Sequence, residues 1–263
     1  MLSLFINNNK SNNKIVSSLG NQVTINLNPA INLDDNKKYQ LRLLNANIVY
    51  CMPNVTILNN TLKYTFSGST YSLVFDTGLY SLDDINAEVS MYTSLSGNGN
   101  DANLIQFFPD QATSKIYVSF SQANVIMDNT ITNSILDMLG FSKSNIGGLI
   151  SAGIIKSAYQ AQLNAIQNIL IKCDVTTGSY SNSQLTNIIS AITPDVDSYS
   201  TIIYRPVHPV RCPINVRLIE SITLTLVDQN NNDLDIGTNG GTQDPELWSV
   251  VLSIESIDTS GLL

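Results

Sequence analysis

Alternation of apolar and polar residues is the main pattern along this chain, and it predicts β-strands. A long alternating run extends from Tyr39 to Tyr50. Two pairs of shorter runs are each separated by turn residues, including Gly68 in the first pair, as in β-hairpins. Pro206, which cannot donate to a strand ladder, closes a later β-branched run. The predicted strands lie at residues 23–27, 39–50, 61–66, 70–76, 104–108, 115–120, 168–175, 199–205, 222–226 and 248–254.

The period of the pattern changes to that of a helix at one place. Ser81 and Asp84 resemble a capping box, and the apolar residues that follow are three or four positions apart. A second, shorter helix is predicted over Ile131–Leu139, with Gly140 at the position that usually ends a helix. Residues 157–167 allow either a helix or an irregular connection, and residues 182–192 allow either a short helix or a loop.

These elements predict an all-β fold of about eight to ten strands. Strands and helices do not alternate strictly, which disfavours a parallel sheet. We expect a single antiparallel jelly-roll sandwich of about eight strands in two sheets, with short helices and loop insertions. The expected division is a mobile N-terminal arm over residues 1–14 and one domain over 15–263, with an insertion around 143–167. The arm is rich in Asn and Lys and has no apolar period after Ile6.

Composition and charge limit the classes of partner. Only 13% of the 263 residues are charged, against roughly a quarter in typical domains. A net charge of −8 disfavours nucleic acid as the main partner, because phosphate attracts Lys and Arg. The apolar stretch Met1–Ile6 is too short for a signal peptide, and we expect no membrane-spanning segment.

Candidate chemistry is sparse, and each candidate has a structural explanation. The only histidine, His208, lies between Pro206 and Pro209, which favours a loop over a catalytic role. Cys51, Cys173 and Cys212 share no metal-type spacing, so we expect buried, unpaired thiols and a reducing compartment of origin.

Acidic residues are also better explained by structure than by chemistry. Asp83 and Asp84 suit the positive end of a helix and therefore predict a cap rather than a pair of catalytic acids. Residues 228–239 allow a calcium site, but Asp233 and Asn239 stand where an EF-hand loop needs Gly and Glu. A hairpin loop is favoured there, and we expect no bound metal or cofactor.

Four segments, in this order, resemble the penton (minor capsid) proteins of virophages and Polinton-like viruses. Tyr80–Asn86 opens a helix after a hairpin, and Ile135–Phe141 ends in Leu-Gly-Phe. Ile169–Asp174 is a strand that ends in Cys-Asp, and Gly-Ser-Tyr follows at 178–180. The last segment combines Arg-Pro, Asp-Gln-Asn-Asn and Trp-Ser-Val within residues 205–250. Residues 143–167 match nothing in the family.

The resemblance implies a structural capsid protein. Five copies would close each fivefold vertex of an icosahedral shell, beside a double-jelly-roll major capsid protein. It further implies a location in the virion, after assembly in the interior of a host cell. The N-terminal arm is the expected contact with adjacent capsid subunits, and its candidate interaction residues are Asn7, Asn8, Asn9, Lys10 and Lys14.

Two other classes of function remain open. A vertex spike or receptor-binding sandwich would need an aromatic cluster in its loops, for which Trp248 is the only tryptophan. An enzyme would need a convergent polar site, and the sequence indicates none, so we expect no catalytic activity.

Overall fold

The structure, a computed structural model, separates into two compact units. Unit 1 comprises Met1–Met52 and Ile166–Leu263, and unit 2 comprises Pro53–Ala165. The single-domain prediction for residues 15–263 stays a prediction. The residues that the structure describes are 1–8, 14–15, 20–95, 97–147, 154–164, 166–177, 179–181, 184–238 and 244–257.

The described elements are nineteen strands and one helix. In chain order they are β1 (Leu2–Asn7), β2 (Lys14–Ile15), β3 (Gln22–Asn32), β4 (Lys38–Val49), β5 (Thr61–Phe66), β6 (Ser69–Val74), α1 (Leu82–Ser94), β7 (Ile105–Asp110), β8 (Lys115–Phe120), β9 (Ile126–Asp128), β10 (Asn145–Gly147), β11 (Ile154–Lys156), β12 (Ile169–Cys173), β13 (Ser179–Ser181), β14 (Gln184–Thr186), β15 (Ile188–Ile192), β16 (Thr201–Tyr204), β17 (Cys212–Pro213), β18 (Leu218–Val227) and β19 (Ser249–Ile257). Among the described residues, no helix has the length and the apolar character that crossing a membrane needs.

Unit 1 has the strand order of a jelly roll. Sheet A runs β1-β19-β4-β16, with the short β17 also paired to β4, and sheet B runs β15-β12-β18-β3-β2. Every pairing is antiparallel. The eight main strands, in chain order, are β1, β3, β4, β12, β15, β16, β18 and β19. Of these, sheet A contains the first, eighth, third and sixth. Sheet B contains the fifth, fourth, seventh and second. This interleaving of distant strands is the double Greek key of a jelly-roll sandwich and confirms the fold class predicted from the sequence.

Alternation along the strands separates the core of unit 1 from its surface. In β18 the apolar positions Ile222, Leu224 and Leu226 are fully buried, and the Thr residues between them are half-buried. Those threonines pair with polar residues of β3, as in the 3.0 Å hydrogen bond between the hydroxyls of Thr24 and Thr223. Burial of each large apolar side chain contributes about 1.5–3 kcal/mol to stability.

Unit 2 contains two small antiparallel sheets and α1. The sheets run β10-β9-β5-β6 and β11-β8-β7, so both hairpins predicted from the sequence are confirmed. Ser67 and Gly68 both have positive φ, as a two-residue hairpin turn requires. The predicted helix is also confirmed, and its buried residues Ile85 and Val89 join the apolar core of this unit.

The short helix predicted over Ile131–Leu139 is wrong, because the structure has turns there. The backbone groups that would start the helix pair with β5 instead. Thr61 donates its N–H to the carbonyl of Asn133, and Ile135 donates to the carbonyl of Thr61. The turns still bury the apolar side chains that suggested a helix: Ile135, Leu136, Met138, Leu139 and Phe141.

The short helix or loop expected over 182–192 is also corrected. Residues 184–186 form β14, and residues 188–192 form β15, which pairs with β12. Pairing with a neighbouring strand therefore overrides the helix-like spacing of the isoleucines. Of the two structures considered for residues 157–167, the described residues adopt the irregular connection.

The mobile arm predicted over residues 1–14 is corrected for its first half. Residues 2–7 form the edge strand β1 of sheet A, paired with β19 from Leu2 opposite Ile254 to Asn7 opposite Ser249. The side chain of Ile6 is buried in unit 1. Residues 9–13 lie outside the described residues.

Candidate interaction surface

The N-terminal segment is attached to unit 1 by the side chain of Asn8. This side chain is only 1% exposed. Its Nδ2 donates to the carbonyl of Glu246 at 2.8 Å, and its Oδ1 accepts the backbone N–H of Trp248 at 2.7 Å. The Trp248 indole in turn donates to the carbonyl of Gly20 at 2.9 Å. The two bonds of Asn8 connect the end of β1 to the chain that enters β19.

Strand β1 has one face towards the core and one towards solvent. Ile6 is buried, whereas Phe5, the residue before it in the strand, is 80% exposed. Phe5 lies opposite Val251 of β19, which lies opposite Asn45 of β4. An aromatic side chain thus stands on the outer face of sheet A, at the sheet's edge.

The five predicted interaction residues have different positions. Asn7 ends β1, and Asn8 is a buried internal bonding residue. Lys14 lies in β2, opposite Thr24 at one end of sheet B. Asn9 and Lys10 lie outside the described residues. That this segment binds neighbouring subunits stays a prediction. The side-chain amide of Asn8 already bonds to Glu246 and Trp248 of its own chain.

His208 lies in an exposed loop between β16 and β17. The loop covers residues 205–211 and has the sequence Arg-Pro-Val-His-Pro-Val-Arg. Val207, beside His208, is 87% exposed. His208 is itself exposed, so the structure places it in a loop, as the sequence favours.

One residue of the acidic pair at the start of α1, Asp84, takes part in the helix cap. The Ser81 hydroxyl accepts the backbone N–H of Asp84 at 3.1 Å, and the Asp84 carboxylate accepts the backbone N–H of Ser81 at 2.8 Å. This reciprocal arrangement is the predicted capping box. The hydrogen bond from the Ser81 hydroxyl also lowers the pKa of Asp84.

The carboxylate of Asp228 organises a turn after β18. One oxygen accepts the backbone N–H groups of Asn230 and Asn232 at 2.7 and 2.8 Å. The other accepts the side-chain amide of Asn232 at 2.9 Å. These bonds explain the Asp/Asn sequence as turn chemistry. Within the described ranges, no group of three or more His, Cys, Asp or Glu side chains could hold a metal ion.

All three cysteines are free and buried, as the sequence predicts. The pKa of Cys51 is raised to about 12, mainly by burial and to a smaller extent by the nearby carboxylates of Glu246 and Asp235. Burial likewise raises the pKa of Cys173 to about 12 and raises that of Cys212. A thiol in this state is a poor nucleophile and metal ligand.

The two edges of sheet A are the surface that the sequence analysis missed. Ile203, on the edge strand β16, is 63% exposed and lies opposite Asn47 of β4. Asn47 and Asn45 are two residues apart in β4, so Ile203 and Phe5 project from the same face of the sheet. The available signal was the N-terminal run Met1–Ile6, which is apolar at adjacent positions although a surface strand normally alternates.

Comparisons with known proteins give a distant likeness. No protein-family model matches this chain, and no curated protein matches it. Among solved structures, the chain is similar to the selenomethionine-labelled penton protein of mavirus. The two are 12% identical with a TM-score of 0.49, over 97% of this chain and 99% of the mavirus protein.

Proposed function

We propose that this protein is a structural protein of an icosahedral viral capsid, and that it acts as the penton. The observation that carries the proposal is the jelly-roll order of sheets A and B. A fold alone does not imply a function. The second support is therefore the ordered set of sequence motifs that resembles penton proteins of virophages and Polinton-like viruses.

Self-association is the proposed mechanism. Five copies would form a ring through heterologous contacts, since rotation about a fivefold axis brings different patches of neighbouring copies together. A surface with few charges suits a protein that is packed against neighbours. The charged fraction of 13% is in keeping with this role.

The proposed partners are further copies of this chain and a double-jelly-roll major capsid protein. The segment that contains Asn9, Lys10 and Lys14 is the proposed contact with adjacent capsid subunits. The proposed location is the vertex of the virion, after assembly inside a host cell. The net charge of −8 supports a role without direct binding of nucleic acid.

We also propose that the protein is not an enzyme and needs no cofactor. The support is the position of its only histidine, His208, on an exposed loop. The buried thiols support the same proposal, because their raised pKa values disfavour the reactive thiolate.

A receptor-binding sandwich is the competing function. Its most direct form would use Trp248 as an aromatic platform for a ligand. Trp248 is 1% exposed and bonds to Gly20, so it is a core residue and gives that function no support.

The mass of the purified oligomer and the location of the protein in particles test the proposal. Multi-angle light scattering should give five times the monomer mass. Cryo-electron microscopy of particles should place the chain at the fivefold vertices. A stable trimer that is absent from the vertices would overturn the penton proposal and favour a spike.

A further inference from the structure

Sheet A has two open edges. Strand β1 forms one, and β16 forms the other together with the two-residue β17, which pairs with the first part of β4. Among the described residues, β1 pairs only with β19, and β16 pairs only with β4. Neither strand contains a charged residue or a proline, the devices with which proteins usually protect an edge from pairing. In sheet B, the outer strand β2 has only two residues, one of them Lys14. The other outer strand, β15, also contains no charge or proline, but it carries no large exposed apolar side chain.

The phase of the hydrogen bonds shows which backbone groups of β1 face outwards. The register ends with Asn7 opposite Ser249, and one residue further Asn8 donates its N–H to the carbonyl of Trp248 at 3.2 Å. Bonded and non-bonded pairs alternate along an antiparallel ladder. The N–H and C=O groups of Leu4 and Ile6 therefore face β19, whereas those of Ser3 and Phe5 face the open edge.

The same argument applies to β16 at the opposite edge. Tyr50 donates its N–H to the carbonyl of Ser200 at 2.9 Å, and Thr201 lies opposite Val49. The backbone groups of Thr201 and Ile203 consequently face away from β4. At each edge, one residue with an outward-facing backbone also has a large exposed apolar side chain. It is Phe5 in β1 and Ile203 in β16, and both side chains lie on the same face of the sheet.

Strand direction makes these two edges complementary. The three pairings from β1 through β19 and β4 to β16 are all antiparallel, so β16 runs opposite to β1. A second copy placed beside the first, with sheet A continued in the same orientation, brings its β16 antiparallel to β1. Apolar Ile203 of one copy then approaches Phe5 of the other.

We propose that copies of this chain associate by adding β16 of one copy to β1 of the next, so that sheet A continues across the contact. The contact is heterologous and therefore allows a closed ring. The inference rests on the proposed function, because it names the surfaces through which the proposed self-association occurs. Main-chain bonds from Ser3, Phe5, Thr201 and Ile203 supply the contact, and apolar contact between Phe5 and Ile203 excludes water from it.

Lysine substitutions at the two edges test the contact. Phe5→Lys and Ile203→Lys each place a charge on one edge, and Val207→Lys is the control at an exposed apolar loop residue. Each edge variant should weaken self-association at least about tenfold in sedimentation equilibrium, whereas the control should associate like wild type. Circular dichroism checks that every variant is folded.

Mixing the two edge variants gives the sharpest test. The Ile203→Lys chain keeps an intact β1, and the Phe5→Lys chain keeps an intact β16. At a concentration at which each variant alone is monomeric, an equimolar mixture should therefore form dimers and nothing larger. Ser3→Pro, which removes an outward N–H, should also weaken association, and Ser3→Ala should not.

The outcomes separate this inference from the penton proposal. Pentamers that survive both lysine variants would overturn the edge contact and leave the penton proposal standing. Assemblies of another size that both variants abolish would support the edge contact and overturn the penton. A wild-type chain that stays monomeric would overturn the edge contact. Association that is weakened only by Phe5→Lys would also overturn it and would indicate pairing of β1 with β1.

Discussion

The side chain of Asn8 accepts the backbone N–H of Trp248 at 2.7 Å, which joins residues 240 positions apart in the chain. The same side chain donates to the carbonyl of Glu246. The first strand and the last strand of sheet A are thereby held together at one end by a single buried amide. This bond identifies the N-terminal segment as part of the sandwich.

Replacing this amide should destabilise the protein. Asn8→Ala leaves the buried Trp248 N–H without its acceptor and removes the donor to the partly buried Glu246 carbonyl. It should lower the free energy of unfolding by about 2 kcal/mol. Urea titration measures the change. Asn8→Asp keeps the acceptor for Trp248 but loses the donor, so it separates the two bonds. A loss below about 0.5 kcal/mol for Asn8→Ala would show that the amide is dispensable.

Deleting residues 1–8 should lower the melting temperature by about 10 °C. The deletion removes the buried side chain of Ile6, the bonds of Asn8 and one edge of sheet A. This expectation reverses the one for a mobile arm, whose loss would leave the melting temperature unchanged. Differential scanning calorimetry measures the shift. Val207→Ser, at an exposed loop position, is the control and should melt near the wild-type temperature.

Gly140 should be intolerant of any side chain. Its φ is +81°, and a Cβ there would overlap the backbone carbonyl of Tyr159. Gly140→Ala should therefore cost more than the ~1 kcal/mol expected from its φ alone. Gly68→Ala is a matched control, because Gly68 has a φ of +82° and open space around the position of its Cβ. Equal losses for the two variants in urea titration would contradict the predicted overlap.

The native thiols should be nearly unreactive. All three are buried, and the pKa values of Cys51 and Cys173 are raised to about 12, so little thiolate exists at pH 8. Ellman's reagent at pH 8 should react slowly with the folded protein. After denaturation it should detect all three thiols. Ile57→Cys adds an exposed thiol and should react at once. Fewer than three thiols in the denatured, unreduced protein would reveal a disulfide.

Asp128 should make stability depend on pH in the acidic range. Hydrogen bonds from the side chain and backbone of Thr130, together with Lys63 at 3.1 Å, lower the pKa of Asp128 to about 2. Its unfolded pKa is about 3.9, so the carboxylate stabilises the fold fully above this pH. That contribution is lost as the pH falls from about 4 towards 2.

Asp128→Asn removes the titrating group, so it should flatten the fall in unfolding free energy over this pH range. Urea titrations of wild type and variant at several pH values measure the slope. Thr130→Val removes the largest cause of the shift and should flatten the slope in part. Identical slopes for all three proteins would contradict the assignment.

The sequence by itself determined the elements whose signals are local. Alternation predicts β4, β18 and β19, since a period of two places one face of each strand in the core. Gly68 and the Ser81–Asp84 box predict a hairpin turn and a helix start, because both depend on bonds between residues close in the chain. The interleaved jelly-roll order also agrees with the prediction, which relied on strand count and on the resemblance to pentons.

Tertiary structure decided the elements whose bonding partners are distant. Residues 133–135 give their backbone bonds to β5 in place of a helix, and β15 forms because β12 offers it an edge. The N-terminal strand joins sheet A through β19, almost the full chain length away. A local period carries no information on which distant strand will supply a partner. Backbone pairing and burial of Ile6 therefore fixed the place of β1, where composition alone suggested a mobile arm.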